Sequence, residues 1–157
     1  ETYGKKETEL KDLEKAIKIA IKRYQIEGIV TGAVESIYQS TRIQNICNKL
    51  KIECFNPLWQ KNQFEILEDL VKYKFKVIIT AVAAYQLNKS WLGRTIDKEF
   101  IKNIIRLHEK YKINPAGEGG EYESFVLNSP NFKKPLKIKN KTITGGNYSY
   151  RTSLELE

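Results

Sequence analysis

The run FKVIITAVA, Phe75 to Ala83, limits the fold more than any other stretch. It is apolar almost throughout instead of alternating, so a strand built from it has both faces covered. Two shorter strand patterns precede it, Ile29–Thr31 within GIVTGAV and IECF at 52–55. Amphipathic helices separate the three. From Glu7 to Tyr24, Leu10, Leu13, Ile17, Ala20, Ile21 and Tyr24 recur at three- and four-residue steps. Glu9 and Asp12 come early in that helix and Lys22 and Arg23 late, the order that suits the helix dipole. Ile37, Ile43, Ile46, Cys47 and Leu50 mark a second helix, and Phe64, Leu67, Leu70 and Val71 a third over Gln63–Tyr73. Strand–helix–strand–helix–strand at this spacing predicts parallel strands, hence an α/β fold with an open, Rossmann-like parallel sheet flanked by helices.

After WLGR, Trp91 to Arg94, a fourth helix is predicted over Asp97–Tyr111, with Phe100, Ile101, Ile104, Ile105 and His108 on one side. Past Pro115 the character changes. YESFVLN alternates, and the segment from Pro135 onward reads as a β-hairpin turning at Gly145-Gly146-Asn147. The expected organisation is an α/β part over residues 1–112 and a β-rich C-terminal appendage over 113–157. The closing LELE reads as a cloning remnant, outside the expected fold.

At 157 residues the chain is one domain or a large piece of one, and 41% hydrophobic with 29% charged residues predicts a packed core. No apolar run approaches the ~20 residues that span a bilayer, and the first residues are no signal peptide, so a soluble cytoplasmic protein with no membrane partner is expected. The net charge of +8 fits an anionic partner such as nucleotide, nucleic acid or an acidic protein, but lysines on the outer faces of helices explain it equally. Cys47 and Cys54 could be joined only by His108, so free thiols and no metal site are expected, and His108 reads as a core or edge histidine. The absence of methionine and the polar opening lead us to expect the later part of a longer protein.

In open α/β sheets, ligands bind beyond the carboxyl ends of the strands. There lie Gly32, Ser36, Tyr38, Gln39 and Arg42 in TGAVESIYQSTR, Trp59 in NPLW, and Trp91, Gly93 and Arg94 in WLGR. A glycine admits a ligand close to the backbone, a helix N-terminus favours an anion, and a guanidinium suits phosphate or carboxylate. An ordinary strand-to-helix turn and core tryptophans are the competing readings. NPAGEGGEYESFV gathers Glu118, Glu121 and Glu123 around Gly119-Gly120. Alternation puts Glu121 and Glu123 on the face of Phe125 and Leu127. Crowded carboxylates repel, so the cluster needs a cation, a shared proton or hydrogen bonds; a solvated acidic loop is the alternative.

GAVESIYQSTR, PLW, WLGR and GEGGEYESFVLNSPNF, in this order and spacing, resemble the diphthine–ammonia ligases, members of the N-type ATP pyrophosphatases. The resemblance covers essentially the whole chain, and the GEGGE segment is its most specific part. It implies a nucleotide-binding fold of the adenine nucleotide alpha hydrolase (HUP) type. It also implies amidation of diphthine on translation elongation factor two, with ATP, Mg2+ and ammonium, releasing AMP and pyrophosphate. The family's phosphate loop, of the form SGGKDS, does not occur here. It is expected before Glu1, and this chain alone is expected to be inactive.

On that resemblance Glu118 and Glu121, supported by Glu123, receive the ammonium and its proton, although the same oxygens would suit Mg2+. Gly32, Ser36 and Arg42 fall to the nucleotide; Tyr38, Gln39, Trp59, Trp91, Gly93 and Arg94 fall to the protein substrate, with elongation factor two as partner. A homo-oligomer is compatible with all of this. Two other readings stay open: an ATP pyrophosphatase that modifies transfer RNA, and a non-catalytic nucleotide- or RNA-binding module.

Overall fold

A computed structural model describes residues 9–157, which form two compact units, one ending at Gln60 and one running from Lys61 to Glu157. Residue 112/113, the expected organisational boundary, falls inside the second.

The first unit contains α1 (Glu9–Tyr24), β1 (Gly28–Val30), α2 (Ile37–Leu50) and β2 (Glu53–Phe55). The first two positions of the predicted opening helix, Glu7 and Thr8, lie outside the described residues. Ile17 of α1 and Ile46 and Cys47 of α2 are buried, as their periodicity requires. Glu14 joins the two helices through Lys49 at 2.9 Å while also pairing with Lys18 at 2.6 Å. β1 and β2 pair in parallel, Gly28 with Glu53 through Val30 with Phe55. Just beyond them the Thr31 N–H donates to the Phe55 carbonyl at 2.9 Å, and the Thr31 hydroxyl donates to Asn56 Oδ1. Cys47 and Cys54 are both free; burial, then the neighbouring Cys54, pushes the Cys47 thiol up to about 11.

The second unit contains α3 (Gln63–Lys72), β3 (Lys76–Val82), a 3-10 turn (Lys89–Trp91), α4 (Lys98–Tyr111), β4 (Tyr122–Asn128), β5 (Ile138–Gly146) and β6 (Ser149–Leu156). Side chains start the helices: Asn62 Oδ1 accepts from the Phe64 N–H at 2.9 Å, and Asp97 Oδ1 from the Phe100 N–H at 2.8 Å. The order across the sheet is β4-β3-β6-β5, every pair antiparallel.

The α/β class and the β-rich appendage therefore hold, but β3 does not extend the parallel pair. Both of its edges are taken within its own unit. β4 runs along one edge. On the other, Arg94 and Gly93 bond the Ile79 backbone at 3.0 and 2.8 Å, and β6 pairs with Ala81 and Val82. Hydrophobic continuity records burial and carries no strand direction, which is why the pattern misled. Burial itself is as read: Val77, Ile78, Ile79, Ala81 and Val82 are all buried. Val77, Ile79 and Val82 join Leu67, Phe100 and Ile104 in the core, each such side chain contributing roughly 1.5–3 kcal/mol.

Two further corrections concern the hairpin. Its turn residues are Asn147 and Tyr148, with left-handed φ of 48° and 64°, so the turn lies one to two positions later than expected. The closing Leu154-Glu155-Leu156, set aside in the sequence, completes β6, and Glu155 pairs with Lys139 at 2.6 Å. His108 is structural: Nδ1 lies 2.7 Å from the Ile113 carbonyl and Phe64 meets the ring edge-on. Among the described residues, no helix is long and apolar enough to cross a membrane.

Candidate functional site

In the first unit, a cleft of about 400 Å3 opens beside the end of β1. Gly32, Tyr38, Gln39 and Arg42 all line it, together with Glu9 and Leu13. One helical turn brings Tyr38 and Arg42 together, and the guanidinium lies 3.8 Å from the Tyr38 ring centre. Glu9 approaches the same guanidinium at 3.8 Å. A side chain at Gly32 would meet no heavy atom within 4 Å, so the open backbone there faces unfilled space. This cleft has the size and the cation to receive part of a nucleotide.

Ser36 works locally. Its Oγ accepts from the Gln39 N–H at 3.3 Å and caps α2. Trp59, in the turn after β2, lines a separate cleft of about 300 Å3 with Asn56 and Gln44.

In the second unit, Trp91 is 8% exposed and meets Phe100 edge-on at 5.5 Å. Phe100 meets Tyr122 the same way at 5.8 Å. Arg94 lies 4.3 Å from the Trp91 ring centre. An aromatic chain thus runs from WLGR, where Gly93 takes a φ of +80°, to the tyrosine of GEGGEY.

The acid loop is built from turns. Gly117 N–H donates to Asn114 O at 3.1 Å and Gly120 N–H to Gly117 O at 2.9 Å. Tyr122 donates its phenol proton to Pro115 O at 2.6 Å. Burial raises that phenol well above its ordinary range, and the charges of Glu121 and Glu118 add to the rise.

The three carboxylates are not equivalent. Glu121 stands just before β4 and turns back into the loop, where its Oε1 accepts from both the backbone N–H and Nδ2 of Asn114, at 2.8 and 2.9 Å. Its Oε2 is buried without a hydrogen-bond partner. Burial pushes this carboxyl up, but the bonds from Asn114, its own N–H and Gly119 outweigh it and leave the group below its usual value. Glu123 is exposed and pairs with Arg151 at 2.9 Å. Glu118 is exposed on the loop. Glu121 lies outside β4, and along the strand Glu123 is exposed, Phe125 half-buried and Leu127 buried. Register shifts interrupt the β3–β4 ladder between Lys76 and Val77 and between Ile79 and Ala81.

Sequence reasoning missed Asn114, Gln63 and Arg151. Asn114 stood inside the acidic stretch but carried no charge to mark it. Gln63 and Arg151 are distant in sequence and carried no local signal.

Among the described residues, no three His, Cys, Asp or Glu side chains are grouped to hold a metal ion. With Glu123 on Arg151 and Glu121 Oε1 on Asn114, the acid loop does not supply a ligand set for Mg2+.

Residues 1–54 match the family described as Diphthamide synthase N-terminal domain, and residues 62–150 match Diphthamide synthase C-terminal domain. A Schizosaccharomyces pombe protein named diphthine–ammonia ligase is 38% identical over 136 residues, which is 86% of this chain and 22% of that protein. Proteins of the same name from Homo sapiens and Mus musculus are 35% and 37% identical, over 86% and 83% of this chain and 51% and 49% of their own lengths. The chain thus spans about half the length of these mammalian relatives, and less of the yeast one. With both halves of the chain matched in order, and the acid loop inside the longer match, the chain belongs to the diphthamide synthase family.

Proposed function

We propose that this chain carries part of the machinery of a cytoplasmic, ATP-dependent ligase that amidates diphthine on translation elongation factor two. The observation that carries this reading is Glu121, an ionised carboxylate with one oxygen held by Asn114 and the other unpartnered. Membership of a family whose relatives are named diphthine–ammonia ligase supports it.

A carboxylate is a poor acyl donor because oxide is a poor leaving group. Transfer of AMP from ATP forms an acyl adenylate and releases pyrophosphate. Ammonia then adds to the acyl carbon, the C–O bond to AMP breaks, and amide, AMP and one proton result. At neutral pH the nitrogen arrives mostly as ammonium, so a cation must be drawn in and a proton removed. Glu121 attracts and orients the ammonium, and with Glu118 accepts the proton it gives up and passes it to solvent. The cleft of Gly32, Tyr38, Gln39 and Arg42 receives the nucleotide side, Arg42 steadying negative charge. Arg94, lying on Trp91, serves the protein substrate.

The test incubates full-length protein with ATP and the diphthine form of the elongation factor and follows AMP with and without ammonium. Ammonium-dependent AMP release is the expected result. Release that depends on transfer RNA instead would overturn it.

A further inference from the structure

We propose that Asn114 and Gln63 are positioning residues that aim the free oxygen of Glu121 at the incoming ammonium. The proposal rests on the reading of Glu121 given above and extends it to two side chains that never touch the reacting atoms.

Three observations support it. Asn114 gives two hydrogen bonds to one carboxylate oxygen, from its backbone and from its side chain. That fixes both the position and the rotation of the carboxylate and leaves Oε2 as the oxygen without a partner. The Asn114 amide is in turn held by Gln63, which is 7% exposed in the first turn of α3 and donates from Nε2 to Asn114 Oδ1 at 3.3 Å. This bond selects the flip of the Asn114 amide that points Nδ2 at Glu121. Gln63 Oε1 also accepts from the Ala116 N–H at 2.9 Å, so one buried amide ties both the asparagine and the loop backbone. Finally, a Cβ at Gly119 would sit 2.5 Å from Asn114 Nδ2 and 2.6 Å from Glu121 Oε1. A side chain at this position would collide with the contact.

The chemistry follows from the donors. Hydrogen bonds into Oε1 favour the charged form and make Glu121 a weaker base. Its main contribution is then to hold the ammonium by charge and by one N–H···Oε2 bond, so that the nitrogen is presented in a fixed direction. Misplacement of that oxygen impairs ammonium use and leaves ATP use alone. The charges of Glu121 and Glu118 both act on the Tyr122 phenol.

The experiment compares Asn114→Leu and Gln63→Met with Glu121→Gln in full-length protein. Both keep size and add no charge; Asn114→Leu removes the Nδ2 donor to Glu121, and Gln63→Met removes the donor to Asn114 and the acceptor for Ala116. Both are expected to raise the KM for ammonium about tenfold with the KM for ATP within about twofold. Carboxyl-13C titration of Glu121, assigned by loss of its signal in Glu121→Gln, is expected to move up in Asn114→Leu. An unshifted Glu121 titration, or an unchanged ammonium KM in both variants while Glu121→Gln raises it, overturns the positioning role. An unchanged ammonium KM in Glu121→Gln overturns the reading of Glu121 itself, and the titration still reports separately whether Asn114 holds the carboxylate.

Discussion

Glu123 and Arg151 meet at 2.9 Å across a strand that separates them. Both are register partners of Ala81 in β3, Glu123 from β4 and Arg151 from β6. The alanine methyl is short enough for two long side chains to join above it. The pair thus clasps the two neighbours of β3 beside the acid loop.

Because both partners are exposed, Arg151→Ala is expected to lower stability by no more than about 1 kcal/mol. Ala81→Leu is expected to cost more, about 1–3 kcal/mol, by pushing into the path of the pair and into buried surroundings. Urea unfolding of the two variants and their combination checks the order. If the clasp matters to Ala81→Leu, the two losses will not add.

Phe100 links the Trp91 and Tyr122 rings and is 1% exposed. Phe100→Ala is expected to destabilise by about 3–5 kcal/mol, since the cavity sits among residues of β3, α3 and α4 that cannot all close in. A lowered denaturation midpoint with unchanged slope is the expected signature.

Two glycines separate fold from ligand. Gly119→Ala is expected to displace Glu121 and to abolish most ammonium-dependent turnover, because its Cβ would overlap Asn114 Nδ2 at 2.5 Å and Glu121 Oε1 at 2.6 Å. Gly32→Ala meets nothing in the folded chain, so its Tm is expected to stay within about 1 °C of the parent. If the cleft takes the nucleotide, Gly32→Ala weakens ATP binding nonetheless, measured by calorimetry on full-length protein.

Acid sensitivity has a definite sign. The folded-state value of Glu121 is depressed, so its contribution is present above the unfolded carboxyl value and is lost as pH falls through the folded one. Tyr122 and Cys47 are raised, so their contributions are intact below the ordinary phenol and thiol values and fade as pH rises past them. Stability of Glu121→Gln against pH is therefore expected to lack part of the acid-side decline and to keep the alkaline one.

Much of this molecule was readable in advance where the information is local. Helix α4 announces itself by Asp97 at its cap and by Phe100, Ile101 and Ile104 on one face. The acid loop announced itself by composition. Pairing partners were another matter. Nothing near Ala81 names Glu123 or Arg151, and nothing in FKVIITAVA distinguishes a parallel neighbour from an antiparallel one. The alternation of YESFVLN was legible, yet the breaks in its ladder with β3 were not. Gln63 read as the first residue of a helix, and its buried amide became meaningful only beside Asn114.

The placing of β3 between β4 and β6 has a bearing on how the chain is made. Ala81 emerges from the ribosome long before Arg151, so for most of synthesis one flank of a very greasy strand awaits its neighbour. Closure of that flank by the last hairpin is a late, long-range event. A nascent chain stalled before β6 offers an adhesive edge to its neighbours, a state in which chaperones have most to do.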